Sequence, residues 1–145
     1  MSSFFRVFLM PPLISFLFSA SLFAAELSVI VNANHALKSA TAQDIKKLYL
    51  GKISTLSGTK LIPVDQADGK PVRTLFYDKV CGKNPNQLKA YWAQLIFTGG
   101  GSPPPVLDGD HEVISWVSRN ENAIGYVDAR MLNDSVKPIF SVIIK

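Results

Sequence analysis

Short runs of β-branched residues alternate with amphipathic helical patterns along almost the whole chain. The strand-like runs are ELSVIVN at 26–32, KLIPV at 60–64, AIGYV at 123–127 and SVKPIFSVII at 135–144. Because helical segments separate these runs, successive strands must be joined through helices that cover the sheet. The sequence therefore predicts an α/β domain with a mixed sheet flanked by helices.

Four segments are predicted to be helical from their capping residues and apolar spacing. Thr41 caps the first, which ends before Gly51. The second runs from Pro71 to about residue 80, the third follows the cap Asn84, and the fourth spans about 110–119. The residues predicted to face the core are Ile45, Leu48, Tyr49, Val72, Leu75, Phe76, Val80, Leu88, Tyr91, Trp92, Leu95, Ile96, Val113, Trp116 and Val117.

The N-terminal segment differs in character from the rest of the chain. A single basic residue, Arg6, precedes an uncharged run from Val7 to Ala25 that ends in small residues. This layout predicts a cleaved secretory signal peptide over residues 1–25 and one domain over residues 26–145. A membrane anchor is the alternative, since a bilayer span needs about 20 apolar residues. The predicted location is the bacterial periplasm.

Charge and cysteine content narrow the class of protein. Residues 26–145 contain 14 basic and 11 acidic side chains, scattered without runs of one sign, which argues against a nucleic-acid partner. Cys81 is the only cysteine, so no internal disulfide forms. We expect it to be a half-buried structural thiol, with pairing between chains left open.

The sequence contains none of the usual metal or nucleophile motifs. CxxC, HExxH and GxSxG are all absent. His35 and His111 are far apart in sequence and are predicted to lie at the surface, while Asp108 and Asp110 are predicted to cap a helix. A non-enzymatic protein without cofactor or metal is expected.

The stretch PVDQADGKPVRTLF, residues 63–76, combines a strand end, a polar loop and a helix start. A helix N-terminus attracts anions through its unpaired N–H groups and its dipole. Gly69 permits close approach of the backbone, and Lys70 and Arg73 add positive charge. Against an anion site, the helix begins with proline, which has no N–H, and the loop carries two carboxylates. An anion site and a polar turn both remain open.

A second candidate is FTGGGS, residues 97–102, where Thr98, Gly99 and Gly100 open a glycine-rich connection. Successive N–H groups of glycines can form a concave nest for an anion. A flexible connection before the prolines is the alternative.

Taken together, these stretches resemble the phosphate-binding proteins of ABC import systems, in the periplasmic binding protein superfamily, and in particular its short members. The resemblance extends from about Val29 to Ile143 and is carried by VIVNANH, TAQDIKKLYLGKI, PVDQADGKPVRTLF, YWAQLIFTGGGSPP and NAIGYVDA. It implies one lobe of a type II periplasmic binding protein. Full-length relatives have two lobes with the ligand between them, and here the other lobe is largely missing.

The resemblance also implies that the loop after the second strand faces the ligand. In relatives an arginine, an acidic residue and a Ser-Gly-Thr run occupy this loop, and the arginine and hydroxyls bind phosphate. Asp68 and Gly69 match the acid and the glycine, and Arg73 matches a basic position just after the loop. The replaced positions are Gln66, for the arginine, and Lys70, Pro71 and Val72, for Ser-Gly-Thr.

The expected function is that of an exported solute-binding protein for an ABC-type uptake system, with phosphate as the first ligand among small oxyanions. N–H groups of Gly69 and Val72 would bind it, Lys70 and Arg73 would supply charge, and Asp68 would accept a proton. The full predicted ligand set is Gln66, Asp68, Gly69, Lys70, Val72, Arg73, Thr98, Gly99 and Gly100.

The alternative is a protein-interaction module of the cell envelope that kept the fold and lost the ligand. The replaced positions of the loop and the missing lobe motivate it. The expected partners are an ABC permease or another envelope protein, and a homodimer could rebuild a cleft.

Overall fold

The computed structural model describes residues 25–144. Apart from Ala25, the predicted signal peptide lies outside these residues, so the peptide and the domain boundary after it stay predictions. No helix in the described part of the chain has both the length and the apolar character needed to cross a bilayer.

In chain order the strands are β1 (Ala25–Asn32), β2 (Thr55–Leu56), β3 (Thr59–Lys60), β4 (Ile62–Pro63), β5 (Asp65–Gln66), β6 (Val106–Leu107), β7 (Ala123–Asp128) and β8 (Val136–Ile144). Three strands, β1, β7 and β8, supply most of the main sheet, and the other five strands are two residues each.

Helices fill most of the chain between them. They are α1 (Ala42–Tyr49), α2 (Pro71–Phe76), a π-helical turn (Tyr77–Cys81), α3 (Pro85–Phe97), α4 (Asp110–Arg119) and a 3₁₀ turn (Ala129–Met131). The predicted caps are present: Thr41 accepts from the Asp44 N–H, and Asn84 and Gln87 form a reciprocal capping box.

The main sheet has the strand order β4-β7-β1-β8. β1 pairs antiparallel with both β7 and β8, whereas β4 pairs parallel with β7. The predicted mixed sheet flanked by helices is therefore confirmed. β5 and β6 form a separate parallel pair, and β2 and β3 an antiparallel one.

Apolar side chains pack on both faces of the sheet, which gives three layers. On one face Val29, Ile124 and Tyr126 belong to a core shared with α1, the π turn and α3. On the other face Ile30 and Val127 pack with the buried side of α4.

Gly125 lets α4 approach β7 closely. A Cβ on Gly125 would lie only 2.5 Å from Val113 Cγ1 and 3.3 Å from Val117 Cγ2. The absence of a side chain at this position therefore sets the distance between α4 and the sheet.

The second predicted helix is longer than α2. α2 ends at Phe76, and the chain continues as a π turn that stops at Gly82, whose φ is 65°. The wider π turn changes the direction of the side chains that follow. Tyr77, the first residue of this turn, keeps α-helical backbone angles; it is buried and its hydroxyl reaches Asp65.

Two residues predicted to face the core are exposed. Ile96 is 54% exposed in the last turn of α3, and Trp116 is 41% exposed on α4. Val113, Ile114 and Val117 form the buried side of α4, and at 3.6 residues per turn Trp116 lies about 100° from its centre.

The predicted second strand, KLIPV, is divided between β3 and β4. Pro63 lies on β4, at the edge of the main sheet, as expected for a residue without an N–H. Beyond Val64 the chain continues into β5, which pairs with β6. The sequence pattern did not predict this second pairing.

Candidate functional site

The loop 66–73 lies at the carboxyl ends of β5, β6 and β7. Gln66 Nε2 donates to the Tyr126 carbonyl oxygen of β7 and to Asp110 Oδ1 at the start of α4. The loop and the first turn of α4 therefore meet at one edge of the fold. Ligands of open α/β sheets bind outside the carboxyl ends of the strands, where this loop lies.

Asp65 is a buried carboxylate at the base of the loop, 2% exposed. Its Oδ2 accepts from the Tyr77 hydroxyl at 2.8 Å, and its Oδ1 accepts from the Tyr126 hydroxyl and the Gln66 N–H. A buried charge needs such partners, because desolvation would otherwise make it very costly. Asp65 is thus a structural centre of the loop and not a free ligand group.

The tyrosines around Asp65 are held in their neutral form. Burial first, and then the negative charge of Asp65, raises the pKa of Tyr77 and of Tyr126 well above the usual tyrosine range. Burial likewise raises the pKa of Tyr49, whose hydroxyl donates to the carbonyls of Val64 and Ile124. These hydroxyls therefore act as fixed donors.

Arg73, predicted to supply charge to an anion, is engaged with the protein. Its Nε lies 3.4 Å from Asp65 Oδ2, and a second nitrogen donates to Asp68 Oδ1 at 3.2 Å. The Nε contact is ionic but not aligned as a hydrogen bond, since Nε has no hydrogen-bond partner. The guanidinium also lies 5.1 Å from the centre of the Tyr77 ring. Two carboxylates thus neutralise much of its charge.

Gln66 is fully buried, with 1% exposed. Both of its recorded side-chain bonds use the amide nitrogen, at 2.7 Å to Asp110 and 2.9 Å to Tyr126. Its Oε1 has no donor among the described residues. Rotating the amide would place Oε1 against two acceptors, so the network fixes its orientation.

Asp68, Gly69 and Lys70, the next three predicted ligand residues, form the tip of the loop. The side chain of Asp68 is 76% exposed, and its Oδ1 accepts from the Gly69 N–H at 3.0 Å. Gly69 has a φ of 83°, a conformation that favours glycine. Lys70 is half-buried, and among residues 25–144 it has no carboxylate within 4.0 Å.

Val72 lies in the first turn of α2 after Pro71. Its N–H has no partner among the backbone and side-chain bonds of residues 25–144. Its side chain packs against the larger core cluster. Of the two predicted N–H donors, Val72 is therefore free, whereas the Gly69 N–H is already used.

Thr98, Gly99 and Gly100 are not brought into hydrogen-bond contact with loop 66–73. The Thr98 hydroxyl donates to the carbonyls of Gln94 and Leu95, and the N–H groups of Gly99 and Gly100 donate to Ile96 and Leu95. These bonds complete the C-terminus of α3, whose last carbonyls lack partners within the helix.

The first turn of α4 is a part of the site that the sequence analysis missed. Gly109, not Asp108 or Asp110, is the N-cap, and no side chain caps the helix. The predicted capping role of both aspartates was wrong because the helix begins one residue later than a cap at Asp108 requires. Glu112 Oε2 and Lys70 Nζ lie 3.5 Å and 3.8 Å from the position that a Cβ on Gly109 would take, so a carboxylate and an ammonium both flank this turn. The glycine before an acid-rich helix start was the available signal.

Further charges surround this turn. Asp128 and Arg130 form a close ion pair at the end of β7. The hydrogen bonds and charge of Asp128 raise the pKa of Arg130, and the charge of Asp110 adds to this effect. The bond from Arg130 holds the pKa of Asp128 below its usual value.

Two other residue predictions are corrected. His35 is buried rather than at the surface, and its Nδ1 accepts from the Leu37 N–H. Cys81 is fully buried rather than half-buried, and burial raises its pKa to about 12. His111 is exposed as predicted. No group of three or more metal-ligating side chains occurs within the described residues.

Comparison with known proteins gives matches in structure. No protein-family model and no curated protein matches the sequence. Among the solved structures that match are two crystal structures that each cover 80% of this chain. One is a protein from Clostridium perfringens, described as a phosphate ABC transporter substrate-binding protein and solved with bound phosphate (27% identity, TM-score 0.63). The other is an ABC-type phosphate transport receptor from Vibrio cholerae (18% identity, TM-score 0.62).

PstS from Borrelia burgdorferi also matches, over 84% of this chain, at 13% identity and a TM-score of 0.59. The present chain spans 45%, 46% and 48% of the lengths of these three proteins.

The fold is therefore that of one lobe of an ABC transporter substrate-binding protein. The similar structures are substrate-binding proteins of phosphate ABC transporters. They confirm the resemblance to that family seen in the sequence.

Proposed function

We propose that the protein is a solute-binding lobe of an ABC-type uptake system and binds phosphate or a related small oxyanion where loop 66–73 meets α4. The observation that carries this proposal is the unpaired Lys70 ammonium beside the uncapped first turn of α4. The phosphate bound to the Clostridium perfringens protein supports the choice of ligand.

Physical chemistry favours an anion at this place. The first N–H groups of a helix have no partner within the helix, and the dipole makes its N-terminus positive. In α4 no side chain takes these N–H groups. Lys70 adds a full positive charge, and the Val72 N–H is a further free donor.

Other charges limit the affinity. Asp68 and Asp110 face the same edge, and Arg73 is largely neutralised by its two carboxylates. Losing a charged hydrogen bond costs on the order of 1.5–3 kcal/mol, which is about tenfold or more in affinity. We therefore expect weaker binding than a complete arginine and hydroxyl set would give.

Isothermal titration of residues 26–145 with phosphate, and with sulfate for comparison, tests the proposal. Lys70→Ala should weaken phosphate binding about tenfold. Lys89→Ala is the matched control, because Lys89 is an exposed lysine on α3 and lies outside the site. Equal effects of the two substitutions, or no phosphate binding by any form, would contradict the proposal.

The second candidate is a protein-interaction module of the cell envelope. It is favoured by the internal use of the Gln66 amide and the Gly69 N–H, and by Phe97, whose side chain is 92% exposed at the end of α3. Crosslinking in cell-envelope extracts tests it: a single specific partner lost on Phe97→Ser would support it, and recovery of the uncrosslinked protein alone would oppose it.

Periplasmic location, non-enzymatic action, a permease partner and a homodimer belong to the same proposal. The substrate-binding fold and the signal-like N-terminus support the first three, and a homodimer would rebuild a cleft from two lobes. N-terminal sequencing of the exported protein would test the predicted removal of residues 1–25.

A further inference from the structure

Asp110 holds the amide of Gln66, the buried member of the predicted ligand set. Its Oδ1 accepts from Gln66 Nε2 at 2.7 Å, the shorter of the two bonds made by that nitrogen. The other hydrogen of the amide is used by the Tyr126 carbonyl. Gln66 thus has no donor left for a ligand.

The position of this carboxylate is one that suits an anion. Asp110 is the first residue of α4, where the unpaired N–H groups and the dipole favour negative charge. Asp110 is half-buried, and the nearby lysine, Lys70, is not paired with it. Asp110 therefore supplies negative charge where the proposed ligand would bring its own.

The bonding of Gln66 is incomplete in a way that a purely structural amide would not require. Its Oε1 is buried without a donor, and an unpaired buried acceptor costs free energy. The chain thus keeps a buried amide in which only the nitrogen is satisfied, and the charged partner of that nitrogen is Asp110. The Nε2 bond to Asp110 joins this amide to the start of α4.

We propose that the Asp110 carboxylate takes the place of an oxyanion on the Gln66 amide and so limits the affinity of the site for external anions. This inference rests on the proposed function. It makes Asp110 a residue that sets affinity, acting partly through Gln66 and partly through its own charge.

Two substitutions test the inference. Asp110→Asn removes the charge and keeps the shape, and Asp110→Ala also frees the Gln66 amide. Asp108→Asn is the matched control, because it removes the same charge two residues away from a side chain that does not bond Gln66. We expect both Asp110 variants to bind phosphate about tenfold more tightly than the parent protein, and Asp108→Asn to change affinity by less than about threefold.

Thermal unfolding without ligand provides a second measurement. Asp110→Ala should lower the melting temperature, since it removes a hydrogen bond and a favourable charge at the start of α4. Lower stability combined with tighter phosphate binding is the expected result. A purely structural Asp110 would lower stability without any gain in affinity, and that result would overturn the inference.

The outcomes separate the two proposals. If the parent protein binds phosphate through Lys70 and the Asp110 variants bind no more tightly than Asp108→Asn, the proposed function stands and the inference fails. If the folded parent and both Asp110 variants bind neither phosphate nor sulfate, both fail. Binding that is measurable only in the Asp110 variants supports the inference and contradicts the proposed function of the parent protein.

Discussion

Asp65 and Asp68 lie three residues apart on the same strand-to-loop segment, yet their surroundings are opposite. Asp65 is buried and accepts from two tyrosine hydroxyls and a backbone N–H, whereas the side chain of Asp68 is 76% exposed and bonds the tip of its own loop. Arg73 contacts both. One arginine thus links a rigid base of the loop to an exposed tip.

The difference shows that the base of this loop has a structural role, whereas its tip has the groups that a ligand could contact. The base is held by aromatic packing, with Phe76 stacked on Tyr126 at a centroid distance of 4.0 Å. Two groups remain available to a ligand: Lys70 at the tip and the Val72 N–H in the first turn of α2. The loop can therefore lose donors at its tip without losing its shape, because the shape depends on Asp65.

The largest effect is expected from removing the buried carboxylate. Asp65→Ala leaves the Tyr77 and Tyr126 hydroxyls without their acceptor and Arg73 without its buried partner. We expect a loss of about 3–5 kcal/mol in the free energy of unfolding, as for a broken buried ion pair. Urea unfolding measures it.

Asp68→Ala is the matched control for that measurement. Its exposed ion pair should contribute less than about 1 kcal/mol. Similar losses for the two variants would show that base and tip are not distinct.

A second prediction concerns Gly125, which sets the approach of α4 to β7. Gly125→Ala should destabilise the fold by about 1–3 kcal/mol, because its Cβ would overlap Val113. The shift of α4 should also disturb the Gln66–Asp110 bond while the Asp65 network remains. NMR signals of the Gln66 side-chain amide would report the bond to Asp110, and those of the Tyr77 hydroxyl would report the Asp65 network. Parallel changes in both signals would show that the two parts of the loop do not respond separately.

A third prediction concerns alkaline pH and the neutral groups near the base. The pKa of Cys81 rises from 9.0 to about 12 on folding, and those of Tyr77 and Tyr126 rise as well. The unfolded chain therefore loses these protons first. The stability that each group provides is complete below its pKa in the unfolded chain, 9.0 for Cys81 and 10.0 for the tyrosines, and above that value it falls by about 1.4 kcal/mol per pH unit.

Urea unfolding at about pH 8 and about pH 10 measures this loss. In Cys81→Ala the decrease between the two pH values should be smaller than in the parent protein. An equal decrease would mean that Cys81 titrates normally in the folded state.

The smallest effect is expected at the other predicted loop. Thr98→Ala should leave phosphate affinity unchanged and alter stability by less than about 0.5 kcal/mol, because the exposed hydroxyl bonds only carbonyls of α3. Titration and thermal melting check both values. A loss of affinity like that of Lys70→Ala would instead bring residues 97–102 into the site.

The sequence predicted those elements whose cause is local. Caps at Thr41 and Asn84, the proline at the start of α2 and the glycine after α1 act within a few residues, and all are found. The fold class followed from the alternation of the two periodicities.

The site was predicted less well because its arrangement depends on distant contacts. Nothing near Asp65 in the sequence shows that Tyr77 and Tyr126 will surround it, because they lie 12 and 61 positions away along the chain. Likewise the bond from Gln66 to Asp110 depends on the β5–β6 pairing, which involves only two residues of each strand. Such short strands carry too little pattern to be recognised.

The central position of β1 has a consequence for the order of folding. β1 is the first strand of the described residues, but its two neighbours in the sheet, β7 and β8, are the last two. Closing such long loops is entropically unfavourable and slows folding. A chain whose β7 and β8 have not yet been made cannot complete the sheet, so the described domain should stay unfolded until both strands are available and should lose its fold if β8 is removed.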